Sequence, residues 1–337
     1  MNIEIWTLLP VAIILGIVSS HSDFKEGKIQ NKYLIMAVIA SVILHGFLWA
    51  FHIIENHQLL IKISHMIISS VIGIALYSLN LWSGGDAKLY IAFVSLLPEY
   101  SFTLFGMAPI TILAGTFLLL LIYLVLKSIF QTTKDQKITL LKKILNPKNL
   151  GHSLLVIFAI SWIITSIFTH FGIEKNIAYS IILIFFIYRA LNYLFKEESI
   201  YLIALIAILR VFFNSDHILR TEFIISFLVM TAAYILVFKS LLEIPDLFCK
   251  KVKIYKLTKD MWSREGVTMK GYLTEDRSQK NLVPPNKRLD EADLYRLRNN
   301  AAKGKLHINS LLVYEKISFA PLLFGGTILN FIFIIIR

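Results

Sequence analysis

The sequence predicts an all-α polytopic membrane protein of about nine to ten transmembrane helices, with a small cytoplasmic α+β segment before the last one. Three observations lead there. Hydrophobic residues make up 56% of the 337 residues and the mean hydropathy is +0.68, too apolar for a soluble domain. The apolar residues fall in runs near the ~20 residues that cross a hydrocarbon core. Lysine and arginine gather in alternate connections between those runs.

The runs are Ile3–Ser20, Tyr33–Ile54, Leu59–Trp82, Leu89–Leu97, Phe102–Phe130, Leu154–Phe171, Ile177–Phe195, Ile200–Phe213, Phe223–Leu242 and Ile317–Ile336. The fourth is short and gains length by starting helically at Asp86. The eighth is also short and carries Arg210, which makes it the least secure. The first, with its apolar stretch Ile5–Val18, lacks a basic leader region and a small-residue cleavage site, so it reads as a retained helix.

Orientation follows from the connections. His21–Lys32 holds Lys25, Lys28 and Lys32; Lys127–Asn149 holds six lysines against Asp135; Glu243–Lys316 is long and basic. The opposite set, His52–Gln58, Pro98–Ser101, Thr169–Asn176 and Asn214–Thr221, lacks excess positive charge. Ten crossings put every basic segment on one side, assigned as cytoplasmic, with both termini outside. The net charge of +12 then reflects this rule and anionic headgroups, and no nucleic-acid partner is expected.

Domain organisation follows. Residues 1–242 form a membrane domain, 243–316 a cytoplasmic soluble segment and 317–337 a C-terminal transmembrane helix. Within the soluble segment, Lys253–Leu257 alternates like a strand, Asn281–Asn286 reads as a turn, and His307–Tyr314 as another strand. Leu289–Asn300 reads as a helix, with Asp290, Glu291 and Asp293 early and Arg296 and Arg298 late, as the helix dipole favours.

Two acidic residues stand at run ends on the cytoplasmic side, Asp23 and Asp86. Charge near membrane depth costs at least ~2.5 kcal/mol on insertion scales and marks a functional site by default. Two carboxyls held close at an apolar boundary share a proton, so one can draw a proton from water while the other protonates a departing amide nitrogen. Gly84 and Gly85 precede Asp86 and remove side-chain bulk where a substrate backbone would approach and the helix unwind. Taken alone, each aspartate is equally a helix end beside a polar loop, and Gly-Gly-Asp a helix C-cap.

These residues carry a resemblance. Asp23 with Ile29 and Asn31 resembles the first-aspartate motif of type IV prepilin peptidases, and Ser83-Gly84-Gly85-Asp86-Ala87-Lys88 their Gly-x-Gly-Asp-type motif. Arg264-Glu265-Gly266-Val267-Thr268, Arg288-Leu289-Asp290-Glu291-Ala292 and Glu315-Lys316-Ile317-Ser318-Phe319-Ala320-Pro321 are similar to the C-terminal region of archaeal prepilin and preflagellin peptidases. Gln30, Ser83 and Ser318 depart from the family's usual proline, glycine and proline. The sixth to eighth runs are extra to the smallest members.

The resemblance implies a multi-pass enzyme of the cytoplasmic membrane with its active site facing the cytoplasm. It implies an aspartic endopeptidase with Asp23 and Asp86 catalytic and Gly84, Gly85, Lys88, Ile29 and Asn31 supporting. It would cut the short basic leader from type IV pilin-like or archaellin precursors, with membrane lipid as its other partner and no metal or organic cofactor. The single cysteine, Cys249, excludes the four-cysteine zinc cluster of many bacterial relatives, so amine methylation is not expected.

Other polar residues read more simply. Lys88 reads as a snorkelling lysine and Asn31 as an N-cap of the second helix. His45, His52, His57 and His65 lack metal-ligand spacing and read as interfacial. Arg189 reads as snorkelling, and Ser69 with Gly73 as a close helix contact. Two other function classes stay open on sequence alone: an ion- or proton-coupled transporter, and a non-catalytic scaffold of pilus assembly.

Overall fold

The computed structural model describes residues 3–79, 81–98, 108–170, 177–195, 198–218, 220–239, 243–259, 261–268, 272–274, 281–284, 287–314 and 317–336. The connections Pro98–Ser101, Thr169–Asn176 and Asn214–Thr221, the run ends Phe102 and Leu242, and Glu315–Lys316 lie wholly or partly outside them; of the turn expected at Asn281–Asn286, Pro285 and Asn286 lie outside them and Asn281–Val283 is instead a strand, paired with Val267 and Thr268. The chain divides into two compact units. One comprises Met1–Tyr123, Lys142–Lys239 and Ser318–Arg337, the other Leu124–Leu141 and Ser240–Ile317.

The first unit is helical. Its elements are α1 (Ile3–Glu26), α2 (Asn31–Ala50), α3 (Asn56–Ser78), α4 (Gly84–Leu96), α5 (Ala108–Gln131, to Tyr123 in this unit), α7 (Pro147–His170), α8 (Ile177–Phe195), α9 (Ser199–Ile218), α10 (Thr221–Tyr234) and α12 (Ala320–Ile336). The amphipathic α6 (Lys134–Ile144) follows α5, within the basic connection Lys127–Asn149. Each expected apolar run forms a helix. Among the described residues, six helices are long and apolar enough to cross a membrane: α1, α2, α3, α5, α7 and α9. The apolar stretches Ser180–Phe195, Thr221–Val237 and Ala320–Ile336 are shorter. Large apolar side chains such as Met36, Ile39 and Val42 on α2 and Phe212 and Phe213 on α9 stand exposed, as lipid-facing residues do.

The fourth run differs from expectation. It begins helically at Gly84, two residues ahead of the expected start at Asp86, but α4 has 13 residues, about 20 Å at 1.5 Å per residue, which is short of a full crossing. Leu89, Tyr90, Phe93, Val94, Leu96 and Leu97 are fully buried. The helix is apolar all round because α1, α2, α3 and α12 pack against it. Its Tyr90 hydroxyl donates to Pro109 O at 2.9 Å.

Small residues let the helices close on α4 and on each other. At Gly73 of α3 a Cβ would stand 3.4 Å from Ala87 O, the close contact expected of Ser69 and Gly73. At Gly16 of α1 a Cβ would fall 2.0 Å from the Phe324 ring of α12, so that crossing requires glycine. At Gly326 of α12 a Cβ would meet Thr116 Oγ1 at 2.6 Å.

A second group of helices, α7 to α10, packs within the same unit. Arg210, the residue that weakened the eighth run, is buried in α9. Its guanidinium lies 4.5 Å from the Phe158 ring and 4.6 Å from the Phe223 ring, and it donates to Ser161 Oγ at 2.9 Å and to Phe158 O. Aromatic faces and fixed acceptors replace the water an arginine loses at that depth.

The second unit carries two antiparallel sheets. Strands β1 (Cys249–Lys253), β2 (Trp262–Ser263), β6 (Lys287–Arg288) and β7 (Ser310–Tyr314) make one, in the order β1-β7-β2-β6. Strands β3 (Gly266–Thr268), β4 (Leu273–Thr274) and β5 (Asn281–Val283) make the other, in the order β4-β3-β5. Helix α11 (Glu291–Ala302) begins two residues later than the sequence placed it, with Asp290 as N-cap in a reciprocal bond pair with Asp293. The strand expected at Lys253–Leu257 is instead a 3₁₀ turn over Ile254–Lys256. The turn puts Ile254 and Leu257 on one side, into a core with Val267, Leu297 and Val313.

Candidate active site

Helix α1 outruns the apolar run Ile3–Ser20 by six residues, so Asp23 sits in the last turn of a helix rather than in the loop after it. The turn closes through Gly27 at φ 65°, whose N–H donates to Asp23 O at 3.0 Å, the left-handed termination that glycine adopts at least cost. Ser22 Oγ holds the following loop by donating to Lys28 O at 2.6 Å. The Asp23 side chain is buried, 6% exposed, and its Oδ2 accepts the backbone N–H of Ala320 at 3.2 Å. Ala320 is the first residue of α12, where N–H groups lack intrahelical partners and the dipole is positive.

Asp86 stands at the third position of α4 and is half-buried. Ser83 is the N-cap. Its hydroxyl accepts from Asp86 N at 3.2 Å while Asp86 Oδ2 accepts from Ser83 N at 3.1 Å. This is a reciprocal capping box with aspartate in the usual glutamate place. Ser83 therefore has work that glycine, with no hydroxyl, could not do. Gly-Gly-Asp opens a helix; the C-cap reading of it does not hold.

The glycines are occupied differently from expectation. They are the first two residues of α4, so no helix unwinds through them. A Cβ on Gly84 would meet the Tyr77 ring at 3.6 Å, and one on Gly85 would meet Ile29 Cβ at 3.4 Å. The space they leave is filled by this chain's own Tyr77 and Ile29.

Asn31 and Lys88 are brought together. Lys88 Nζ donates to Asn31 Oδ1 at 3.2 Å, joining the start of α2 to the first turn of α4. Lys88 is exposed, and its ammonium reaches a protein acceptor. Asn31 is not the N-cap: Gln30 holds that position without capping through its side chain, which donates instead to Glu26 Oε2 at 3.0 Å. Gln30 thus ties the start of α2 to the end of α1.

Three links converge on this end of the helix set: Lys88 on Asn31, Gly85 on Ile29, and Trp82 on Phe319, whose ring centroids are 5.3 Å apart. Trp82 is buried, precedes Ser83, and also meets the Tyr90 ring at 5.4 Å; Phe319 precedes Ala320. The chain segments carrying Asp23 and Asp86 are joined by these contacts. The sequence motifs include Ser83, Phe319 and Ala320 but do not show that Trp82 meets Phe319 or that Ala320 meets Asp23. The signal that could have found them is Phe319-Ala320-Pro321, an aromatic ahead of a helix start with proline in its first turn.

Comparison with known protein families, with curated proteins and with solved structures gave no match. Among the described residues no three His, Cys, Asp or Glu side chains are grouped as a metal site would need. The four histidines divide. His52 and His57 are exposed, whereas His45 and His65, expected at the interface, are buried because α2 and α3 turn them toward the packed side of the bundle.

Proposed function

We propose that this chain is a membrane aspartic endopeptidase that removes the leader peptide from type IV pilin-like or archaellin precursors at the cytoplasmic face. The observation that carries the reading is that the segment following Asp23 packs on the first turn of α4, which bears Asp86, through Lys88 to Asn31 and Gly85 against Ile29. The resemblance of the two aspartate motifs to prepilin peptidases supplies the reaction class.

In the reaction one carboxylate takes a proton from water, the hydroxide attacks the scissile carbonyl, and the partner carboxyl gives its proton to the departing nitrogen. The pair ends the cycle with the proton exchanged between its members. The buried Asp23 and the half-buried Asp86 differ in environment, which is the usual route to dividing acid and base roles. The lysine-bearing connections define the cytoplasmic side, and the site end of α1 and α4 faces it, where a basic leader meets a hydrophobic helix.

The test is co-expression with a pilin or archaellin precursor and an assay for leader removal. The unchanged chain should cleave, while Asp23→Asn and Asp86→Asn should each stop cleavage and remain in the membrane. Normal cleavage by either variant would end the two-aspartate reading.

A further inference from the structure

At the opposite end of α4 lies a buried polar group that the proposed chemistry does not use. Lys62 of α3 is only 4% exposed, and its Nζ donates to Val94 O at 3.0 Å and to Leu97 O. Ser41 Oγ of α2, also buried, donates to Ser95 O, and Ser95 Oγ to Ala92 O at 2.7 Å. Nearby, His45 Nε2 of α2 is 3.9 Å from Glu4 Oε1 of α1, and both side chains are buried.

Lysine is an expensive side chain to place there, so its bonds indicate a purpose. The last carbonyls of a helix have no partner within it, and away from water each needs one. An ammonium brings three donors and positive charge to the negative end of the helix dipole. Leu89, Phe93 and Leu96 offer only apolar packing, which is non-directional and sets the position of α4 along its axis poorly. The hydrogen bonds from Lys62 and Ser41 are directional and fix it.

We infer that Lys62 is a positioning residue for Asp86: by holding the buried C-terminal end of α4 it sets where the first turn, with its carboxylate, stands. A straight helix of this length transmits an axial shift from one end to the other, so freeing the lysine end lets Gly85 and Asp86 move against Ile29. The consequence for catalysis rests on the peptidase reading; the placement of α4 does not.

The experiment reads placement and activity separately. Gly85 and Ile29 suit a disulfide reporter, because a Cβ at Gly85 would lie 3.4 Å from Ile29 Cβ, close to the ~3.5–4.5 Å of bridged cysteines. Ile29→Cys and Gly85→Cys are introduced together with Cys249→Ser, which removes the only native thiol. Oxidation by copper phenanthroline is then followed in membranes by loss of maleimide labelling. With Lys62 present the pair should close rapidly. Lys62→Met should slow closure by about tenfold, the effect of removing the charged donor that ties Val94 O and Leu97 O to α3, and Lys62→Arg should restore most of it. Ser41→Ala, a smaller lesion, should slow it less and serves if Lys62→Met is not recovered folded by gel filtration. Equal rates in all four chains would overturn the inference. In the native-cysteine chain, Lys62→Met should lower kcat for precursor cleavage with KM little changed. If the parent chain cleaves no precursor yet closure still depends on Lys62, the peptidase reading fails and the placement of α4 by Lys62 stands.

Discussion

The backbone N–H of Ala320 donates to Oδ2 of Asp23 at 3.2 Å, so the carboxylate proposed to act on substrate also closes the start of α12. One side chain thus links residues 297 positions apart in the chain. Phe319, the preceding residue, lies tilted against Trp82, and the next residue after Trp82 caps the helix that carries Asp86.

This double use of Asp23 separates two variants. Asp23→Asn keeps an oxygen for the Ala320 N–H, whereas Asp23→Ala leaves it unpaired in a buried place. Both should lose leader cleavage by at least ~100-fold, as expected on removal of an acid–base group. Only the alanine variant should unfold earlier in detergent, by about 1–3 kcal/mol. Equal stabilities would show that the hydrogen bond contributes nothing.

Ser83 should prove a helix cap. Ser83→Ala removes the acceptor for Asp86 N and should cost about 1 kcal/mol, while Ser83→Gly should cost only a few tenths. Chemical denaturation of the purified chain measures both. Because the cap also orients Asp86, cleavage should fall further in Ser83→Ala than in Ser83→Gly.

Gly16 and Phe324 should be coupled. A methyl at Gly16 would overlap the Phe324 ring, so Gly16→Ala should destabilise by about 1–3 kcal/mol. Adding Phe324→Leu should recover part of that loss, and a double-mutant cycle should give an interaction energy of at least ~0.5 kcal/mol. Strict additivity would mean that α1 and α12 do not cross there.

Arg210 offers a test of shape against charge. Arg210→Lys keeps the charge but loses the planar stack on Phe158 and Phe223, and should cost about 1–3 kcal/mol. Arg210→Met removes the buried charge together with its desolvation cost and should lie closer to wild type in a thermal melt. A lysine variant more stable than the methionine variant would show that charge, not stacking, matters at this position.

Much of the helical framework was legible because hydropathy is a local property: each of the ten apolar runs forms a helix, and Asp290 announces α11 three residues before its partner Asp293. Helix ends were less so. Asp23 lies inside α1 because burial against the start of α12 extends the helix beyond its apolar stretch. Lys253–Leu257 alternates like a strand, yet Ile254 and Leu257 turn inward together because a core from distant segments waits for both. His45 and His65 show no periodic signal that separates a buried histidine from an interfacial one, since that depends on which side the neighbouring helices occupy.

The sequence by itself determined that this chain is apolar enough to cross a membrane repeatedly, that two aspartates stand at the ends of apolar runs, and that Gly84-Gly85 leaves room beside one of them. Composition and spacing suffice for that. Only the tertiary structure decided what fills the room, which is Ile29 and Tyr77, and that Asp23 meets Ala320 while Lys62 holds the far end of α4. Those are contacts between residues distant along the chain. Their partners are chosen by how helices pack and by the need of every buried N–H and carbonyl for a partner, which no local pattern records.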